Sequence, residues 1–166
     1  TMDGLAHQIV AGIATGGIYA SVALAIVMIY QATHHVNFAQ GEMATLSCFI
    51  AWSMVQAGLP YWVAFFGTIV VSFAIGVVVE RILIRPVANA PVLTMVGVFI
   101  GLLLIVGNAT GWIFGYTTKV FPSPFTSDGP LLGGLVSAHE LGSTVVTLTV
   151  LTLVWAFFRF TRLGLA

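Results

Sequence analysis

Few residues in this sequence could do chemistry, and the densest group is Val36-Asn37-Phe38-Ala39-Gln40-Gly41-Glu42. It lies between two apolar runs and contains no Lys or Arg, although cytoplasmic loops usually carry them. It is short and amphipathic, and Gly41 comes just before an apolar segment. One reading is a break between helices near the membrane interior, where free helix-end N–H groups meet an anionic solute. The other is an interfacial turn capped by Asn37 or Glu42. Glu42 in a first helical turn would suit the helix dipole either way. Asn37, Phe38, Gln40, Gly41 and Glu42 are therefore the first candidates for a solute path. Asn108, inside a later apolar run, can line such a path or bond a neighbouring helix.

The remaining polar residues suggest no catalysis. His34 and His35 are adjacent, so they share no helix face and offer no metal-ligand spacing. His7 and His139 are expected on the other side of the membrane, so no metal site is expected. Cys48 is the lone cysteine, which excludes an internal disulfide and reads as a buried small hydrophobe. Glu80, Arg81, Arg85 and Pro86 read as a cytoplasmic anchor, with the helical path stopping at Arg85-Pro86 because a residue before proline avoids helical backbone. No Walker-type loop and no supported Ser/His/Asp grouping occurs. The chain is expected to be no enzyme and to need no cofactor.

The elements that must position these residues follow from composition. Of 166 residues, 59% are hydrophobic and 6% charged, against about 25% charged in a soluble domain. Mean hydropathy is +1.08. Such a surface must face lipid or other protein. Five basic residues balance five acidic ones, which leaves no electrostatic footprint for nucleic acid and no polybasic run for lipid headgroups. A bilayer core of about 30 Å takes about 20 apolar residues as helix. Segments 5–30, 41–57, 61–79, 92–115 and 140–158 meet that length or come close. Backbone groups in lipid must pair within their segment, and nothing alternates with period two. The fold class is all-α, a polytopic transmembrane bundle of about five spans.

Arg81, Arg85, Arg159 and Arg162 fall on one side of that arrangement and Lys119 on the other. The positive-inside rule assigns the arginines to the cytoplasm and residue 1 to the outside. If 31–40 is a re-entrant break rather than a loop, the parity of the first helix changes. The N-terminus lacks the basic region of a signal peptide, and Thr1 before Met2 suggests a fragment edge. Gly107, Gly111 and Gly115, with Gly97 and Gly101, recur at spacing four. That spacing predicts a close-packed face on the fourth helix.

Four stretches in order resemble a known family. They are Gly12 to Tyr30 with Gly16-Gly17-Ile18-Tyr19-Ala20, then Asn37-Phe38-Ala39-Gln40-Gly41-Glu42, then Glu80-Arg81 with Arg85-Pro86, and Thr161-Arg162-Leu163-Gly164 with Ala166. The set is similar to permease subunits of branched-chain amino acid ABC importers, of the LivH type. The resemblance implies a single permease domain over 1–166 in the bacterial inner membrane. It implies ATP-driven alternating access for branched-chain amino acids or similar small polar solutes. The implied partners are a second permease subunit, cytoplasmic ATP-binding subunits and a periplasmic solute-binding protein. Arg159, Thr161, Arg162 and Gly164 would lead into the segment that docks on the ATPase.

Two departures from the family pattern stand out. Gln40 replaces a common histidine, which keeps hydrogen bonding but removes a titratable group. The chain also ends before the expected coupling loop and about three further helices, so it resembles the first part of such a permease. Competing readings are a stand-alone channel or secondary transporter, or a truncated scaffold without transport. The former usually needs deep carboxylates, whereas Glu42, Glu80 and Glu140 fall at expected helix ends.

Overall fold

The computed structural model describes residues 2–125 and 138–160, except for the side chains of 2, 3, 6, 32, 140 and 158. The described residues form five long helices and no strand. They are α1 (Met2–Thr33), α2 (Gln40–Gln56), α3 (Tyr61–Val79), α4 (Val92–Phe114) and α5 (Ala138–Phe160). Each expected apolar segment is thus a helix. Among the described residues three stretches are long and apolar enough to cross a membrane: His7–Gln31, Tyr61–Val87 and Val92–Phe114. Leu141–Phe157 is a shorter apolar helix. α2 has 17 residues, about 25 Å at the α-helical rise, and carries Gln40, Glu42 and Gln56.

Local sequence explains the helix ends. Pro60 and Pro91 precede α3 and α4 with φ −55° and −54°. Proline fixes that φ, and its missing N–H is no loss where a helix begins. α2 ends in a tight turn. Gly58 takes φ +89°, and Leu59 N–H donates to Met54 O at 3.2 Å, the wrapped C-terminal geometry that glycine permits. Gly115 closes α4 with φ +84°. His34 ends α1 in left-handed backbone, φ 55°, with its N–H on Tyr30 O at 2.7 Å.

The helical path does not stop at Arg85-Pro86. α3 runs on through a π-helical turn, Glu80–Ile84, and a 3-10 turn, Arg85–Val87. Arg85 keeps helical angles, φ −60° and ψ −40°, although it precedes proline. The reason lies in the wider turn. Arg85 N–H reaches Glu80 O, five residues back. A proline in a continuous α-helix collides with the carbonyl four residues back, and a π turn is one of the ways a helix absorbs that conflict.

The chain divides into two compact units, Thr1–Val27 with Pro122–Ala166, and Met28–Phe121. In the first, α1 approaches α5 at Gly17. A Cβ added there would stand 3.2 Å from Thr147 Cγ2. Ser123 Oγ pairs with His139 Nδ1 at 2.9 Å.

In the second unit α2 packs against both α3 and α4. Its core is small. Met95, Phe99 and Leu102 form a buried stripe on α4, and Ala64 and Thr68 are buried on α3. Phe49 stacks on Phe114 with ring centroids 5.1 Å apart. Lys119 Nζ sits 5.4 Å from the centre of the Trp52 ring, within cation–π range. Trp112 and Leu93 are over 80% exposed. Outward apolar side chains of this kind suit a bilayer, where packing and polar pairing hold helices together.

Several hydroxyls inside the apolar helices return to their own backbone. Ser21, Thr45, Ser47, Thr110, Thr149 and Thr152 each donate to the carbonyl four residues back, at 2.7–3.1 Å. This satisfies donors that lipid cannot.

The glycine spacing on α4 marks packing in part only. Gly107 and Gly111 meet side chains, Glu42 and Tyr116, whereas Gly97 and Gly101 have open space around them. Close approach at the α4 glycines is thus confined to its C-terminal half, where side chains enter glycine notches.

Candidate functional site

The joint between α1 and α2 is built around Asn37. Its side chain is buried, and Oδ1 accepts the N–H of Ala39 at 3.0 Å. The backbone N–H of Gln40 donates to Asn37 O at 3.3 Å. Asn37 therefore holds the turn that starts α2, two residues ahead of the Ala39 cap position. On the α1 side, Thr33 Oγ1 donates to Ile29 O at 2.8 Å and accepts from His35 N–H at 3.3 Å. The joint is a compact hydrogen-bonded turn, with few residues between two helices.

The candidates on this break do not converge on one point. Asn37 and Gln40 line a crevice along α2 and α3. Gln40 Oε1 is buried there with no hydrogen-bond partner. Glu42 faces α4, where its Oε2 lies 3.1 Å from the position of a Cβ on Gly107. Phe38 is half exposed and Gly41 has open space beside it. Asn108 is exposed, and its Nδ2 donates to Leu104 O at 2.7 Å in its own helix. Its neighbour Gly107 meets Glu42, but Asn108 itself turns back along α4.

Glu80, Arg81, Arg85 and Pro86 sit together on the π and 3-10 turns and are exposed. Glu80 also lines the crevice beside Gln40. Arg159 is exposed in the last turn of α5. Thr161, Arg162 and Gly164 lie outside the described residues.

Sequence reasoning missed the crevice itself. One part, about 670 Å³, is lined by residues such as Cys48, Ala51, Tyr61, Phe65 and Phe121. The other, about 450 Å³, is lined by Asn37, Gln40, Met43, Gly76, Glu80 and Ile84 among others. Ala44, Ser47 and Ser72 belong to both. Ser72 Oγ donates to Ser47 Oγ at 2.8 Å, and Ser47 Oγ donates to Met43 O at 2.8 Å. Cys48 is exposed on this wall rather than buried, because the open crevice runs along its side of α2. Small residues three or four apart on α2, Ala44, Cys48 and Ala51, were the available signal for this hollow face.

Among the described residues no group of three or more His, Cys, Asp or Glu is placed to hold a metal ion.

Comparison with known proteins places these features in context. A family model described as branched-chain amino acid transport system / permease component matches residues 8–166. The high-affinity branched-chain amino acid transport system permease protein LivH of Escherichia coli K12 is 24% identical, across 96% of this chain and 56% of its own length. LivH of Salmonella typhimurium is similar to the same extent. The permease protein BraD of Pseudomonas aeruginosa is 26% identical, across 96% of this chain and 57% of its own length. The chain thus spans about half the length of the curated relatives it matches. No solved structure matches it.

Proposed function

This chain belongs to the family of permease components of branched-chain amino acid transport systems, and from that premise we propose that it serves a bacterial ABC importer as a membrane-embedded permease subunit. The observation that carries the reading is the family match over almost the whole chain, joined to helices apolar and long enough to cross a membrane. The relatives named for branched-chain amino acid transport support branched-chain amino acids, or similar small polar solutes, as cargo. The location is the bacterial inner membrane. A second permease subunit, cytoplasmic ATP-binding subunits and a periplasmic binding protein complete the assembly.

The chain supplies two arrangements with different access rather than a reaction. ATP binding and hydrolysis in the partner subunits bias that equilibrium, which requires that they interact differently with each arrangement. Asn37, Phe38, Gln40, Gly41 and Glu42 are the path residues of this reading. A break between helices is where irregular backbone can face a solute instead of lipid. Asn108 offers such a solute its amide oxygen and one remaining amide N–H, since the other N–H is engaged with Leu104. Glu80, Arg81, Arg85 and Pro86 serve as the cytoplasmic anchor. Arg159, Thr161, Arg162 and Gly164 form the approach to the ATPase.

The test is uptake of labelled leucine, isoleucine and valine by the permease reconstituted with these partners. ATP-dependent uptake that also needs the binding protein is the expected result. Uptake without ATP that follows a proton or sodium gradient would overturn the reading in favour of a secondary transporter.

A further inference from the structure

We infer that the α2–α3 crevice is this chain's wall of the solute path, with the Ser47–Ser72 hydrogen bond as its mid-membrane constriction; the inference rests on the permease reading above. Three observations carry it.

The first is position. α2 and α3 are antiparallel neighbours joined by the Gly58 turn. Ser72 lies about 16 Å of helix from Tyr61 and about 12 Å from Glu80 at the α-helical rise, so it sits near the middle of α3 and its π-helical extension. The two hollows meet there, at Ala44, Ser47 and Ser72. A crevice that follows an antiparallel helix pair and is divided near the middle of α3 has the layout of a path with a midplane site.

The second is the direction of the hydrogen bonds. Ser72 donates to Ser47, and Ser47 donates to Met43 O. Both hydroxyl protons are engaged inside the protein, so what remains towards the hollow is acceptor lone pairs. Gln40 Oε1 is a further acceptor, buried without a partner, and Glu80 is among the residues lining the same hollow. A buried acceptor left unmade is costly. The side of the crevice towards Gln40 therefore fits a donor-rich head such as a protonated amine.

The third is the contrast between the two parts. Beyond Ser47 and Ser72 the lining becomes Ala51, Ala64, Phe65 and Ile69 with Tyr61 and Phe121 at the far end. That hollow suits a short alkyl group. Together the parts fit a small solute with an ammonium head and a compact aliphatic tail, held across the serine pair. Ligand sites commonly combine apolar walls with a few placed polar groups in this way.

The experiment uses the permease reconstituted with its partner subunits, in a background whose other cysteines are alanine. Ser72→Cys is expected to react with a small charged methanethiosulfonate reagent supplied in water, and excess leucine is expected to slow that reaction. The reaction is read whether or not this variant transports. Ser72→Leu, checked for co-purification with its partners, is expected to lower leucine uptake by about tenfold or more, the scale set by misfit of a few carbons in a fitted pocket. Ser72→Cys that stays unreactive, because another helix or lipid chains fill the crevice, overturns the inference. So does an assembled Ser72→Leu permease with wild-type uptake. A wild-type assembly that moves none of these amino acids overturns the permease reading itself.

Discussion

The ring of Tyr116 lies against Gly111 of α4 so closely that a Cβ on Gly111 would collide with its edge. Gly111 is buried, while Tyr116 is 80% exposed and follows the helix end at Gly115. The ring therefore has somewhere to go. Gly111→Ala displaces it, and two effects compete. Alanine gains about 0.8–1 kcal/mol of helix propensity over glycine, and the ring loses its seat. The expected net change in stability is small. Gly111→Ala in a Tyr116→Ala background keeps only the gain and is expected to stabilise by about 1 kcal/mol. A double-mutant cycle from denaturant unfolding in detergent measures the difference. Equal effects in both backgrounds would show that the ring does not rest on Gly111.

Gly58 and Gly97 are open to a methyl group alike, yet they should respond oppositely. A Cβ meets nothing within 4 Å at either position. Gly58, however, has φ +89°, where an L side chain is strained, whereas Gly97 is ordinary α4 backbone. Gly58→Ala is expected to destabilise the α2–α3 turn by about 1–2 kcal/mol. Gly97→Ala is expected to be neutral or to stabilise by up to about 1 kcal/mol. Thermal unfolding of the two variants under one set of conditions decides it. Equal losses at both sites would point to a partner surface on α4 rather than to backbone strain.

The helices were legible in the sequence because lipid leaves the backbone no alternative: apolar runs of the right length must pair internally. The proline before α3 and the proline before α4 also mark their starts. Pro86 misled for a physical reason. Local rules take the proline as a stop, while a π turn five residues long lets Arg85 stay helical. The joint at 37–42 was visible as polar residues between apolar runs, and the structure turns the chain there on Asn37. What sequence could not show is which way each side chain turns. Asn108 bonds its own helix, Glu42 faces Gly107, and Gln40 enters the crevice. Ser47 and Ser72 were not legible either, since they are 25 residues apart and meet only when α2 and α3 pack.

Asn37 has a structural duty that can be separated from any role in transport. Its Oδ1 satisfies the Ala39 N–H in a buried turn. Asn37→Ala leaves that donor without its partner and is expected to cost about 1–3 kcal/mol. Asn37→Ser keeps a short acceptor able to serve the same turn and is expected to recover much of the loss. Unfolding midpoints of both variants, read beside uptake, test this. Serine that restores stability but not uptake would give Asn37 a part in the path as well as in the turn.

Gln40 is placed to show the opposite pattern, in which stability rises as function falls. Oε1 is buried without a partner, and an unmet buried acceptor costs about 1–3 kcal/mol. Gln40→Met has similar length and removes the unmet oxygen. It is expected to leave the protein as stable as wild type or more stable by about 1 kcal/mol, within the range set by that penalty. If the oxygen exists to receive a solute donor, leucine uptake by the reconstituted permease falls in the same variant. Functional groups commonly hold a protein below its stability optimum in this way. Gln40→Glu supplies the contrast, because it keeps an acceptor and adds charge that would bind an ammonium head more tightly. Its uptake should saturate at lower leucine concentration than that of Gln40→Met. Wild-type uptake in Gln40→Met would remove the oxygen from the path and leave it a purely local defect of the fold.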